Sequence, residues 1–163
     1  VINKKIISGA NGLGGEWSLN QMPLKEIKSN IDYNGKFDFS QRIEGHLSGK
    51  SIEKNLNNLF KKKFTAKEIF SKYREKDTDA LNFINRYKTN LARSLVIIIT
   101  TIDPDAIVFG GGVSNEIDFL DELKNISAKL LNEQNLKTVF LKPIYGDASG
   151  VRGAALLGRQ NLI

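Results

Sequence analysis

The sequence predicts an α/β domain with helices packed on a sheet, and three observations carry that expectation. From about residue 78 onward the chain alternates helix, strand, helix, strand, helix. Its two strand segments, 106–109 and 137–141 (KTVFL), are short and apolar, as strands inside a covered sheet are. In the long helix over 78–101, Ala80, Ile84, Tyr87, Leu91, Leu95 and Ile98 recur at steps of three and four, which is one face of an amphipathic helix.

Taken in order, the chain opens at Val1 inside an apolar-alternating stretch, VINKKIISG, which reads as a strand over 1–7 entered midway. That opening predicts a piece of a longer protein or a processed chain. GANGLGGEWSLNQ follows, with four glycines in seven positions and then a glutamate beside the only tryptophan. Residues 20–47 show no helical period. They contain Pro23, Asn34-Gly35 and the aromatics Tyr33, Phe37 and Phe39, and are predicted as loop and short strands with a tight turn at Asn34-Gly35. A helix is expected over 50–61, with Ile52, Leu56, Leu59 and Phe60 on one face, and another over 65–74 capped by Thr65. Asp77 offers a cap to the long helix, whose apolar end, SLVIIIT, predicts burial between a sheet and a second layer. Pro104 then breaks the helix, the strand at 106–109 runs into Gly110-Gly111-Gly112, and helices are expected over 117–132 and from about Gly150.

Composition narrows the function classes. The 163 residues make about one domain, long enough to bury roughly 70% of the unfolded surface. No cysteine is present, which excludes disulfides and thiolate metal sites. No apolar run approaches the length of a membrane span, and no signal-peptide pattern stands at the start, so a cytoplasmic protein without a membrane partner is expected. The net charge is +6, but the basic residues are scattered. The one tight cluster, Lys61-Lys62-Lys63, ends a helical pattern, where cations complement the helix dipole. Without a basic stripe interleaved with aromatics, nucleic acid is not an expected partner.

Two glycine-rich segments bear on chemistry. Gly9, Gly12, Gly14 and Gly15 read either as a surface loop with Glu16 solvated or as backbone shaped around a ligand. Strand, glycine triplet, helix reads equally as a sharp turn or as a nucleotide cradle in which bare backbone admits adenosine or phosphate. It fits neither the dinucleotide fingerprint nor a P-loop. In GDASGVRGAALLG, small residues surround a helix start. A tightly packed capped helix accounts for Ala154 and Ala155, but less well for Gly150 and Gly153.

The order of these motifs resembles a known pattern. A glycine loop ending in GE, then IEGHLSG, then DPDAIVFGGG, then GDASGVRGAA resembles the sugar-kinase branch of the ROK (repressor, open reading frame, kinase) family, nearest to fructokinase or mannokinase. The resemblance spans the whole chain but covers only the C-terminal half of such a kinase. It implies an actin-like, ribonuclease-H-like ATPase fold in two lobes, this chain being the C-terminal lobe over 1–163, with a mixed sheet and packed helices. Sugar-contacting loops would lie at about 9–49 and nucleotide-side elements at about 103–163. The resemblance makes Glu16, Glu44 and Asn20 the sugar-binding residues and Gly110, Gly111 and Gly112 the adenosine-binding ones. ATP and Mg2+ are the implied cofactors, a hexose and the chain's own N-terminal lobe the implied partners, and a homodimer the expected assembly.

The departures are as specific as the matches. The family pattern G-E-x-G-H supplies a histidine that touches sugar and binds a structural zinc, and here Ser18 and Leu19 replace the glycine and the histidine. The three zinc cysteines align with Gly35, Phe37 and Arg42, so no zinc is expected. Tyr33, Phe37 and Phe39 are candidates for apolar packing in its place. His46, two residues beyond Glu44, is expected on another side of a helix, as a surface histidine. Phosphoryl transfer needs an aspartate base and a phosphate loop. In the family both lie in the N-terminal half, and neither Asp103 nor Asp147 matches the base, so no catalytic residue is assigned and the chain alone is expected to be inactive. Two rivals stand beside the kinase: a kinase-like sugar sensor that has lost catalysis, and a structural dimerisation lobe using the 78–101 helix as interface.

Overall fold

The computed structural model describes residues 1–3, 5–7, 9–23, 41–61, 63–146 and 148–160, with side chains of 58–60 and 157–160 left aside. Its elements are a 3-10 turn at Trp17–Leu19, then α1 (Ile43–Leu47), α2 (Gly49–Phe60), α3 (Ala66–Arg74), α4 (Thr78–Ile102), β1 (Ala106–Val108), a 3-10 turn at Gly112–Asn115, α5 (Leu120–Leu131), β2 (Val139–Leu141) and α6 (Ala148–Gln160).

The helix boundaries follow local chemistry. Thr65 and Glu68 form a capping box that starts α3, each satisfying a backbone N–H that the helix leaves free. Asp77 accepts from the N–H groups of Asp79 and Ala80 and so starts α4. At the other end Asp103 takes a left-handed conformation, φ +48°, before Pro104 stops the helix.

The core lies along α4. Its residues Ala80, Phe83, Ile84, Tyr87, Lys88, Leu91, Ala92, Ser94, Leu95 and Ile99 are buried, a stripe wider than the sequence period alone predicts. They meet Ile43 and Leu47 of α1, Ile52 and Leu56 of α2, Ile69 and Phe70 of α3 and Leu123 of α5. The predicted partners Leu59 and Phe60 lie outside the described side chains. Phe70 packs edge-on to Tyr87 at 6.3 Å and parallel to Phe119 at 6.4 Å, joining α3, α4 and the approach to α5. The buried stripe of α4 is thus the domain's own core, one apolar surface shared by four other helices.

β1 and β2 pair in parallel with Ala106 opposite Val139, Ile107 opposite Phe140 and Val108 opposite Leu141, and α5 makes the crossover. Among the described residues, antiparallel pairing is confined to isolated bridges, Ile2 with Lys5 and Gln21 with Arg42. The first of these corrects the strand predicted over 1–7. Ile2 and Lys5 exchange both backbone hydrogen bonds at 2.9 Å, and Asn3 sits at φ +49°, so the chain reverses where a single strand was expected. Asparagine tolerates that conformation better than most side chains.

The small sheet has one covered face. Ile107 and Phe140 turn toward the helices, while Val108, Val139 and Leu141 remain 58%, 43% and 45% exposed. α6 is likewise uncovered, with Val151 74% exposed and open space around the positions a Cβ would take at Gly150 and Gly153. The reading of Ala154 and Ala155 as tightly packed is overturned, since both are exposed among the described residues. Asp147 lies outside them.

Candidate functional site

Glu16 caps the 3-10 turn at Trp17–Leu19, and its own N–H donates to Leu13 O at 3.1 Å. Gly15, immediately before it, has φ +95°, a conformation that a side chain would strain. The glycine thus sets the direction in which Glu16 leaves the loop. Its carboxylate has no hydrogen-bond or ion-pair partner among the described residues.

Glu16 and Asn20 border one cavity of about 400 Å³. Asn20 donates from Nδ2 to Trp17 O at 2.9 Å, which fixes the amide and leaves its oxygen as an acceptor. The opposite wall is the apolar end of α4, Ile97, Ile98, Thr101 and Ile102. Sequence reasoning assigned that end to the core alone. The available signal was its width: five consecutive apolar residues, 95–99, cannot all face one way on a helix. Leu19, standing where the family histidine would be, borders the same cavity.

Glu44 lies in the first turn of α1, one residue past Ile43, whose N–H donates to Asn20 O at 2.9 Å. Backbone bonding thus joins the two glutamate-bearing segments. The carboxylates border different cavities, however: Glu44 lines one of about 590 Å³ with Arg42, His46 and Lys50. His46 is half-buried and borders that same cavity, which corrects its placement as a surface histidine on another side. The cavity wraps the corner between α1 and α2, so both positions of the short helix reach it.

Of the positions where the family holds zinc, 19 and 42 lie among the described residues. Leu19 and Arg42 offer no metal donor, and no group of three acidic, histidine or cysteine side chains gathers among the described residues. Instead Gln21 and Arg42 pair as an antiparallel bridge, Met22 N–H donates to Gln41 O at 2.9 Å, and the Met22 side chain is buried in the core. Gly35 and the proposed aromatic replacements Tyr33, Phe37 and Phe39 lie outside the described residues.

Gly110, Gly111 and Gly112 follow β1 with open space at each Cβ position, so a ligand can lie directly against the backbone. That suits a flat ring such as adenine. The next residue, Val113, brings its Cγ2 to 3.3 Å from where a Cβ would stand on Gly49. The glycine triplet and the Glu44 segment are therefore neighbours through the start of α2, a link that no linear motif reveals.

Comparison with known proteins bears on the family and the fold. The chain is 34% identical over 165 residues to an N-acetyl-D-glucosamine kinase of Erwinia tasmaniensis, covering 96% of this chain and 53% of that protein. It is 36% identical over 164 residues to an N-acetyl-D-glucosamine kinase of Mannheimia succiniciproducens, with the same two coverages. The crystal structure of a ROK family protein from Streptococcus pneumoniae in complex with sucrose superposes with TM-score 0.77 at 21% identity, over 100% of this chain and 55% of that one. The chain therefore spans about half the length of the relatives it matches, and it has the actin-like ATPase fold of the family. With the glycine loop, the IEGHLSG segment and the glycine triplet in family order, and a family match over residues 1–161, the chain belongs to the ROK family.

Proposed function

We propose that this chain is the C-terminal lobe of an ATP-dependent sugar kinase that transfers the γ-phosphate to a primary hydroxyl of a hexose. The observation that carries the reading is the Glu16 cavity, where an unpartnered carboxylate and the Asn20 amide face an apolar wall. A sugar needs that combination: acceptors for its hydroxyls and an apolar surface for its C–H face. The motif order favoured fructose or mannose. The relatives, being N-acetyl-D-glucosamine kinases, favour an N-acetylhexosamine instead, and Ile97 and Ile98 would suit its methyl group.

Glu16 and Asn20 hold the sugar in this reading, with Glu44 reaching it from the neighbouring cavity, and orientation is much of what such a transfer requires. The open backbone of Gly110–Gly112 fits adenosine. ATP supplies the phosphoryl group, and Mg2+ is expected with it, although the described residues gather no carboxylate group suited to hold the ion. The base and the phosphate loop come from the rest of the enzyme, which also covers the bare face of β1 and β2 and the exposed side of α6. A homodimer is proposed.

The test is phosphorylation of N-acetyl-D-glucosamine, mannose and fructose by the complete enzyme, with Glu16→Gln beside it. The reading expects one sugar to dominate and the variant to lose about tenfold or more in kcat/KM. Unchanged sugar kinetics in Glu16→Gln would sink the assignment. Leu19 in place of the histidine keeps a second reading in play, a sugar sensor without turnover. Saturable sugar binding by a complete protein that transfers no phosphate would decide for it.

A further inference from the structure

The corner where α1 meets α2 and α4 carries charge that neither the core nor the Glu16 cavity explains. Two cavities open there, of about 590 and 310 Å³, and His46 and Asn55 border both. Lys50 and Lys54 line the first and Arg86 the second. All three are exposed and, like most cations of the chain, have no ion-pair or hydrogen-bond partner among the described residues. Among the described residues, Glu44 is the one carboxylate bordering either cavity.

Placement sharpens the point. Lys50 sits in the first turn of α2, which has no acidic residue there. A cation at that end meets the positive end of the helix dipole, so local electrostatics disfavour it unless an anion is present. The smaller cavity has a different lining. Phe83 and Tyr87 are buried beneath it, with Asn55 and Asn90 beside them. Aromatic carbon below, amides at the side and one cation, Arg86, at the edge suit a small organic anion, with Lys50 and Lys54 on the adjoining cavity beyond His46 and Asn55.

We infer that this corner binds a small phosphate-bearing molecule, its phosphate held by Lys50, Lys54 and Arg86 and its body lying over Tyr87 between His46 and Asn90. Phosphate suits the site better than a carboxylate because three cations answer a doubly charged group. The larger cavity shares Glu44 with the kinase reading, but the inference needs no sugar at Glu16.

His46 is the only histidine of the chain, so its imidazole proton resonances report on the corner alone. The chain is titrated at constant pH with inorganic phosphate, glucose 6-phosphate and ATP, each against sodium chloride at matched ionic strength. The expected result is a saturable His46 shift with glucose 6-phosphate or ATP that chloride does not produce, at lower concentration than with inorganic phosphate. Whichever organic probe saturates first identifies the source as a phosphorylated sugar or a nucleotide. In a Lys54→Gln/Arg86→Gln variant the midpoint rises by about tenfold or more while circular dichroism is unchanged. If the double variant misfolds, Lys50→Gln and Arg86→Gln singly must each raise the midpoint. Shifts that follow ionic strength alone, that persist in the variants, or that are as strong with inorganic phosphate as with both organic probes would overturn the proposal.

Discussion

Lys88 is 2% exposed and still charged, because three groups around it answer the charge. Its Nζ donates to Tyr73 Oη at 2.7 Å and to Glu122 Oε2 at 2.6 Å, and it lies 4.7 Å above the centre of the Phe119 ring. Burial lowers its pKa and is the largest single influence, yet the bonds to Glu122 and Tyr73 together carry it above the usual 10.5. Such a group stabilises fully below its unfolded pKa and stops doing so as pH rises through the folded one. Stability is therefore expected to fall above about pH 10.5, and to fall less steeply in Lys88→Met. Lys88→Ala should cost about 2–4 kcal/mol in urea unfolding, and Lys88→Met clearly less. The difference arises because methionine fills the buried space that alanine vacates, whereas Glu122, 53% exposed, regains water in either variant. Glu68 runs the opposite way: backbone and side-chain bonds from Thr65 lower its pKa below 4.5. The α3 cap is thus complete above that value and is lost as pH falls through the lowered one. Thr65→Ala should cost about 1 kcal/mol and flatten that acid dependence.

At the scale of elements, the helices were legible and the loops were not. α3 and α4 start where Thr65 and Asp77 predict, because a cap is a local contract between a side chain and N–H groups two or three residues away. α5 begins at Leu120, three residues later than predicted, because the preceding residues fold as a turn that lets Glu116 and Asp118 meet Arg74. α1, where loop and strand were expected, has only five residues, too few for a visible period. It stays helical because Ile43 and Leu47, one turn apart, are both drawn into the core. The contact of Gly49 with Val113 is an element-scale constraint with a clear test. Gly49→Val must displace Val113 and with it the turn that follows the glycine triplet. It should cost about 1–3 kcal/mol and, in the complete enzyme, weaken nucleotide binding. An unchanged unfolding midpoint would show that the contact is slack.

Across the whole molecule the decisive feature is what lies uncovered. Parallel strands are normally buried on both faces, and AIVF and VFL are written for that, with apolar residues at consecutive positions. Here the helices cover one face only. Amides of α6 and of β1 and β2 should therefore exchange with deuterium far faster in this chain alone than in the complete enzyme, while those of α4 stay protected in both. Equal exchange of α6 in the two would mean that no other layer rests on it.

The sequence by itself determined the helices with caps and long periods, the two apolar strands, the family and the order of its motifs, since each depends on neighbours within a few residues. Tertiary structure alone decided that Glu16 and Glu44 border separate cavities, that the end of α4 walls one of them, and that Gly49 meets the glycine triplet. Those relations join residues about 30 to 90 positions apart, and only the packing of helices around α4 brings them within reach.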